Sequence, residues 1–266
     1  TCFPDPAGRS LTMPRERNNL ALYNEVADDW WSDDVRWIRT LKNMVPGRLR
    51  YFDRHIDWRD KTVLDLGCAG GFMAEALDDR GARVTAIDPA QEAVSAARAH
   101  AGDRKIDYHV GVGEALPYPD DSFDAVVCVD VLEHVRDLGQ VVREIARVLK
   151  PGGMLCYDTI NRNPMASLTV VTMAEDVLRL LPRGTHDPKM FIRPAELLGH
   201  FASAGLSAGK MTGFGPRGIG KRGDPTFGEL PFTSIIYMGT ASKADPAANA
   251  AQASASRGVR HQTGHD

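Results

Sequence analysis

Thr62-Val63-Leu64-Asp65-Leu66-Gly67-Cys68-Ala69-Gly70-Gly71-Phe72 is a short apolar run that carries an acid and stops at a cluster of glycines. Behind it, Phe72-Met73-Ala74-Glu75-Ala76-Leu77 has helical spacing. Strand, tight turn and helix in that order build a nucleotide site. Glycines let a ligand approach the backbone closely, and free N–H groups at a helix start favour a negative ligand group. Residues 81–88 then read Gly-Ala-Arg-Val-Thr-Ala-Ile-Asp, a second strand ending in an acid. Asp88 lies about 20 residues past Gly67, near the spacing at which a carboxylate meets a ribose diol.

The turn reads Asp-x-Gly-x-x-Gly-Gly, which fits the nicotinamide fingerprint Gly-x-Gly-x-x-Gly poorly. No Gly-x-x-x-x-Gly-Lys-Ser/Thr occurs, so a P-loop is excluded. Asp65 stands just before the turn. A carboxylate there suits a cofactor with a positive end better than a pyrophosphate, since like charges repel at such range. S-adenosylmethionine, with its ammonium and sulfonium, has that character.

Outward from this stretch the chain alternates. Strands are expected at 62–66, 83–87, 106–111, 123–129 and 154–159, and helices at 71–80, 90–101 and 138–149. A Pro-rich loop is expected at 116–121 and a turn at Pro151-Gly152-Gly153. Such alternation argues an α/β fold: a Rossmann-like, seven-stranded, mostly parallel sheet with helices on both faces. Ligands on these sheets bind beyond the carboxyl ends of the strands. Gly67, Asp88, Gly113-Glu114, Val129-Asp130 and Asn161 all fall there.

Before the core, Leu22, Tyr23, Val26 and Trp30 fit an amphipathic helix over 18–31. Trp30-Trp31 reads first as an aromatic pin to the core and second as part of a lid. Residues 35–58 read as two helical pieces, broken by Pro46-Gly47. After the core, 163–192 is an apolar helical insertion: a cap helix, a lid over substrate, or a helix lying on a membrane surface. A helix at 194–204, strands near 207–212 and 233–240, and a long Gly- and Pro-rich loop at 214–231 complete the single domain, 16–240. Residues 1–15 and 241–266 are expected to be disordered.

The chain has 266 residues and a net charge of −3, enough for a sizeable core and without the basic balance of a nucleic-acid partner. Cys2, Cys68, Cys128 and Cys156 are widely spaced and form no Cys-x-x-Cys, so neither a zinc ribbon nor a disulfide framework is expected. No stretch reads as a signal peptide or a transmembrane helix, which makes a reducing cytoplasm the default.

Taken together, Asp65-Leu-Gly-Cys-Ala-Gly-Gly71, Asp88, Glu114-Ala-Leu-Pro, Phe123-Asp-Ala-Val-Val and Leu149-Lys-Pro-Gly-Gly153 resemble the ordered motifs of class I S-adenosylmethionine-dependent methyltransferases. A longer resemblance, over roughly 20–240, is to the ubiquinone-biosynthesis 3-O-methyltransferase family. It rests on Val26-Ala27 with Trp30-Trp31, Leu132-Glu-His-Val135, Asn161-Arg-Asn163, Arg183-Gly-Thr-His-Asp187 and Phe191-Ile-Arg-Pro-Ala-Glu-Leu-Leu198.

The resemblance implies S-adenosylmethionine as cofactor and a phenolic or catechol acceptor, with a methyltransferase of secondary metabolism as the alternative. Arg48 would hold the cofactor carboxylate, with Gly67, Gly70 and Asp65 around the methionine part. Asp88 would take the ribose hydroxyls, Gly113 and Glu114 would lie by the adenine, and Val129 would offer backbone contact. Asp130, Glu133 and His134 map onto a divalent-metal cluster that would take Mg²⁺ or Zn²⁺. His134, with Glu133, would be catalytic. The residues alone favour Glu133 and His134 as shapers of the pocket floor. The insertion at 163–192 would make a peripheral contact with the inner membrane face. Two departures from the family pattern stand out. Ala69 replaces a glycine and is expected to trim cofactor space, and Asp130 replaces a glutamate. The 214–231 loop also differs.

Overall fold

The computed structural model describes residues 20–246 apart from Arg179, Leu181, Arg183 and Lys221. The expectations for 1–15 and for all but the start of 241–266 lie outside the described residues.

Strands β1 (Thr62–Leu66), β2 (Arg83–Asp88), β3 (Asp107–Val110), β4 (Phe123–Cys128) and β5 (Leu149–Ile160) form a parallel layer in the order β3-β2-β1-β4-β5. Helices α3 (Phe72–Asp78), α4 (Gln91–Ala101) and α5 (Leu138–Val148) make the crossovers. The strand order reverses between β1 and β4, which opens a crevice above their carboxyl ends. Along β1 the side chains alternate: Val63 packs into one core cluster and Leu64 and Leu66 into the other.

The expected seven-stranded, mostly parallel sheet is corrected to one that has, among the described residues, nine strands of mixed direction. Beyond β5 the layer continues antiparallel through β9 (Ile236–Lys243), β7 (Thr212–Ile219) and β8 (Pro225–Leu230), with β6 (Leu206–Ala208) also pairing with β9. The stretch expected as a 214–231 loop is the β7–β8 hairpin. Its glycines disguised it, and Gly213 and Gly215 are there for close approach. A Cβ on Gly213 would fall 1.7 Å from the Phe232 carbonyl oxygen. Pro216 sits where β7 no longer pairs with β9, so its missing N–H breaks no ladder bond on that side.

Two smaller differences have equally local causes. Pro151-Gly152-Gly153 is not a turn before the strand but lies within β5, which absorbs it as a bulge between the Phe123–Leu149 and Ala125–Met154 pairs. β9 runs to Lys243, so residues 241–243 are strand.

N-terminal to the sheet are α1 (Leu20–Glu25), a short 3-10 turn at Ala27–Asp29 and α2 (Arg36–Phe52). The two pieces expected from Pro46-Gly47 are one helix. Pro46 points to solvent, while Gly47 lets β8 come close: a Cβ there would lie 2.6 Å from the Phe227 carbonyl oxygen. Trp30 is buried as an aromatic pin, edge-on to Trp37 and stacked with Phe72. After β5, α6 (Pro164–Ala166) runs into a π-helical stretch, Ser167–Val177, which with the loop to Phe191 forms the cap. Helix α7 (Pro194–Ser203) then packs beside α5.

Candidate active site

The β1–α3 turn is built on left-handed backbone at Gly67 (φ 84°), Ala69 (φ 42°) and Gly71 (φ 94°). Two of these are glycines, for which the conformation carries no Cβ penalty. Ala69 has no such freedom. The substitution expected to trim cofactor space therefore also places an alanine in left-handed backbone, held there by its N–H donating to Asp88 Oδ2 at 3.0 Å. Gly67 faces the β4 side of the crevice, where a Cβ would lie 2.1 Å from Val131 Cγ2.

Above the strand ends lies a cavity of about 730 Å³. Arg48, Gly67, Asp88, Gly113, Glu114 and Val129 line it, as do Asp130 and His134. Three of the expected residues stand behind the wall. Asp65 is buried on the Val63 face of β1, Glu133 is buried below His134, and Gly70 is covered by the Trp30 indole. The topology puts the loops after β2 and β3 on one side of the crevice and the loop after β4 on the other.

Asp88 Oδ1 accepts from the Ala90 N–H at 2.7 Å, as Oδ2 does from Ala69. Each oxygen keeps a lone pair for a hydroxyl. Glu114 Oε1 accepts from the Arg136 N–H, which fixes the loop by Gly113. Burial pushes the Asp88 carboxyl up to about 6. Asp65 rises to about 7, by burial first and the nearby Asp88 charge second, and its Oδ2 has no hydrogen-bond partner. Two acids that ionise reluctantly beside one cavity are what a bound cation would relieve.

The affinity of this cavity for a cationic cofactor is accordingly expected to rise with pH between about 6 and about 7. The positive ligand binds the ionised acids better, so below that window binding must first expel protons. Titration calorimetry in two buffers of different ionisation heat should show proton release at pH 6 that fades by pH 8. Equal proton uptake at both values would remove Asp65 and Asp88 from cofactor binding. The same two raised pKa values mean that the free protein loses stability from these groups as pH rises from their ordinary value of 3.8 to about 7, a loss that the cofactor should reverse.

Gly70 is a second test of the turn. A Cβ there would come within 2.0 Å of Trp30 Cδ1 and Nε1. The Trp30 indole is hemmed by Tyr23, Trp37 and Phe72, so Gly70→Ala should destabilise by about 1–3 kcal/mol and weaken cofactor binding. Adding Trp30→Leu should recover most of the lost stability in a double-mutant cycle. A melting temperature unmoved by Gly70→Ala would sink the packing argument.

Arg48 enters the cavity wall from α2. Its Nε donates to Asp158 Oδ2 at 2.5 Å, its Nη2 pairs with Asp130 Oδ2 at 2.5 Å, and its guanidinium lies over the Phe214 ring. Asp158 Oδ1 accepts the Asp130 N–H, which holds Asp130 at φ 53°. The next residue of β5, Thr159, points the other way and donates from Oγ1 to Glu133 Oε2 at 2.8 Å. The end of β5 thus grips both halves of the floor.

The 130–134 segment is not one helical turn. A 3-10 turn covers only Leu132–His134, and the left-handed Asp130 leaves it pointing at Arg48. The side chains that come within ligand distance of one another are Glu133, His134 and His186, not Asp130. His186 comes from the cap, and no local spacing announced it. Its Nδ1 lies 2.8 Å from Glu175 Oε1, a buried carboxylate on the π-helical stretch that also accepts the Gly184 and His186 backbone N–H groups. Burial, with His186 nearby, pulls His134 down to about 3, so its ring is neutral near pH 7. Burial and the Asp130 charge push Glu133 up, and its Oε1 has no hydrogen-bond partner.

Comparison with known proteins bears on this cavity. Residues 64–157 match a family model described as a methyltransferase domain. A protein of Marinobacter nauticus named Ubiquinone biosynthesis O-methyltransferase is 40% identical, over 74% of this chain and 85% of that protein. Its namesake in Stutzerimonas stutzeri is 41% identical over 73% and 84%. Among solved structures, an S-adenosylmethionine-dependent methyltransferase from Methanosarcina mazei superposes with a TM-score of 0.56 at 21% identity, covering 73% of this chain and 97% of that one. A Haloferax volcanii complex of the Trm112 activator and a methyltransferase gives 0.61 at 21%, covering 84% and 97%. At that identity the likeness is of fold alone.

Proposed function

The chain belongs to the ubiquinone biosynthesis O-methyltransferase family of S-adenosylmethionine-dependent enzymes, and on that footing we propose that it methylates a phenolic oxygen of a polyprenylated ubiquinone precursor. The observation that carries the reading beyond membership is the cavity at the strand-order reversal, with acids for a cationic cofactor along β1 and β2 and a Glu-His-His cluster beyond β4.

S-adenosylmethionine supplies an electrophilic methyl carried on a sulfonium. Asp88 would hold the ribose hydroxyls, Gly113 and Glu114 would border the adenine, and Gly67 and Val129 would approach through their backbone. Gly70 contributes by making room for Trp30 rather than by touching the ligand. Asp65 would favour the positive end through its field. Arg48 would orient the cofactor carboxylate only insofar as Asp130 and Asp158 leave it a free N–H. Because methyl transfer needs alignment more than covalent help, rigid placement of donor and acceptor is the main task of these residues.

The acceptor phenol must also lose its proton. His134, held neutral, has a free lone pair but is a weak base, so a role as cation ligand suits it better than general base. The fit of a divalent cation is good: Glu133 Oε1 is buried without a partner, His134 is neutral, and His186 has only one ring nitrogen engaged by Glu175. A cation held there would lower the pKa of a phenol as it lowers that of water. Asp130 would act from Arg48, outside the ligand set.

Exposed Met165, Leu168, Met173, Val177 and Leu178 on the cap are the surface through which a prenylated substrate would be met at a membrane face. Among the described residues no helix is long and apolar enough to cross a membrane.

Methyl transfer from labelled S-adenosylmethionine to catechols with and without a prenyl tail, before and after chelator, tests the whole reading. Transfer to prenylated catechols that chelation stops is the expected result. Transfer confined to untailed hydroxyls and indifferent to chelator would remove both the quinone precursor and the cation.

A further inference from the structure

The cap and the floor of the cavity meet at one cluster. Glu133 and His134 follow β4, while His186 arrives from the insertion after β5. The His134 and His186 rings lie 5.2 Å apart, and the ligand atoms of all three residues lie within 4.8 Å of one another. Two observations indicate that the cluster is built to hold something. Glu133 is 1% exposed and its Oε1 has no hydrogen-bond partner, although a buried carboxylate oxygen without one is costly. Glu175, also 1% exposed, lies against His186 Nδ1 and both of its oxygens accept cap backbone N–H groups. A carboxylate on Nδ1 fixes the tautomer that leaves Nε2 bare, the arrangement found behind histidines that bind metals.

We propose that His186, positioned by Glu175, is a cation ligand supplied by the cap, so that one divalent ion bound by Glu133, His134 and His186 fastens the cap to the cavity floor. The donor set decides the class of ion. Two imidazoles and one carboxylate suit Zn²⁺ and its transition-metal neighbours, whereas Mg²⁺ prefers oxygen ligands and keeps its waters. The inference rests on the cation reading of the proposed function and adds the third ligand, the ion class and the mechanical link. It also explains why the cap carries a buried acid: Glu175 ties the Gly184 and His186 N–H groups to the His186 imidazole.

The test uses Co²⁺ as a coloured stand-in for Zn²⁺ on the full chain. Wild type should develop visible absorption bands of nitrogen-ligated Co²⁺ that Zn²⁺ displaces and a hundredfold excess of Mg²⁺ does not. His186→Ala should weaken Co²⁺ at least tenfold and change the bands, with S-adenosylmethionine affinity unchanged as evidence of an intact fold. Glu175→Gln, a change behind the ligand, should weaken Co²⁺ about 10–100-fold and keep the bands. Limited proteolysis within 163–192 should slow when Co²⁺ is added to wild type and not when added to His186→Ala. His186→Gln serves as a second variant if the alanine does not fold. Equal Co²⁺ affinity in wild type and His186→Ala, or ready displacement by Mg²⁺, would overturn the inference. If Glu133→Gln and His134→Ala lose Co²⁺ while His186→Ala retains it, only the cap ligand fails. If wild type binds no Co²⁺, the cation reading fails as well, and the methyl-transfer assay alone then judges the enzyme.

Discussion

Arg48→Met is expected to lower the free energy of unfolding at pH 7 by about 3–5 kcal/mol, seen as a lower urea midpoint at unchanged slope. The guanidinium is buried between Asp130 and Asp158, and Asp158 is fully buried. Removing the cation leaves at least one carboxylate in the interior without a counter-charge, and that is costlier than the loss of any hydrogen bond. The sign with pH follows. Burial already raises Asp158 above an ordinary carboxyl, and Arg48 is what restrains the rise. Without Arg48 the folded-state value climbs further. A carboxyl with a raised folded-state pKa contributes stability at low pH that is lost as pH rises. The deficit of the variant should therefore shrink on acidification and grow toward neutrality. Arg48→Lys should recover part of it, since charge returns without the two-pronged geometry. Were Arg48 purely a cofactor ligand, the midpoint would stay put and only S-adenosylmethionine affinity would fall.

His134→Ala should cut turnover about 10²–10⁴-fold while changing cofactor affinity by less than roughly twofold. The cavity lies on both sides of the strand-order reversal, and His134 stands on the β4 side, away from Asp88 and Gly113. The pH profile separates the two roles open to it. With its pKa held at about 3, the wild-type ring gives no inflection near the ordinary imidazole value of about 6.5. A ligand role predicts partial recovery of the variant by excess Zn²⁺; a base role predicts recovery by free imidazole instead. Undiminished turnover would discard both roles.

The parallel half of the sheet and the glycine turn were legible because each strand ended in a signal: Gly67, Asp88, Gly113-Glu114 and Val129-Asp130 all fell at the carboxyl edge. The β7–β8 hairpin was not. Gly213 serves close approach to the Phe232 backbone and Gly215 to the Leu230 side chain, and with Gly218, Pro216 and Pro225 they give the stretch, in a single sequence, the composition of a loop. At the site, Arg48 was found by resemblance, but its hold on Asp158 was not, because an acid inside an apolar strand carries no label for its partner. The expected metal triad assumed a helical turn through 130–134. The positive φ of Asp130 breaks that assumption, and the residue that replaces it in the cluster comes from the cap, where only three-dimensional folding brings it near.

The placement of β9 sets a schedule for the chain as it leaves the ribosome. The parallel layer has all its strands once Ile160 is made, and its open side is then β5, a twelve-residue strand whose residues Leu155–Ile160 are buried in the finished molecule. Among the described residues, no strand made between Asn161 and Ile235 pairs with that side. β6 and β7 join the sheet only through β9, so the β7–β8 hairpin must wait for it too. Until residues 236–243 are made, the nascent chain offers an apolar strand edge to any neighbour. A stop codon or stalled ribosome anywhere between Asn161 and Ile236 therefore yields not a slightly shortened enzyme but a half-sheet with a template for aggregation, whatever the state of its cofactor cavity.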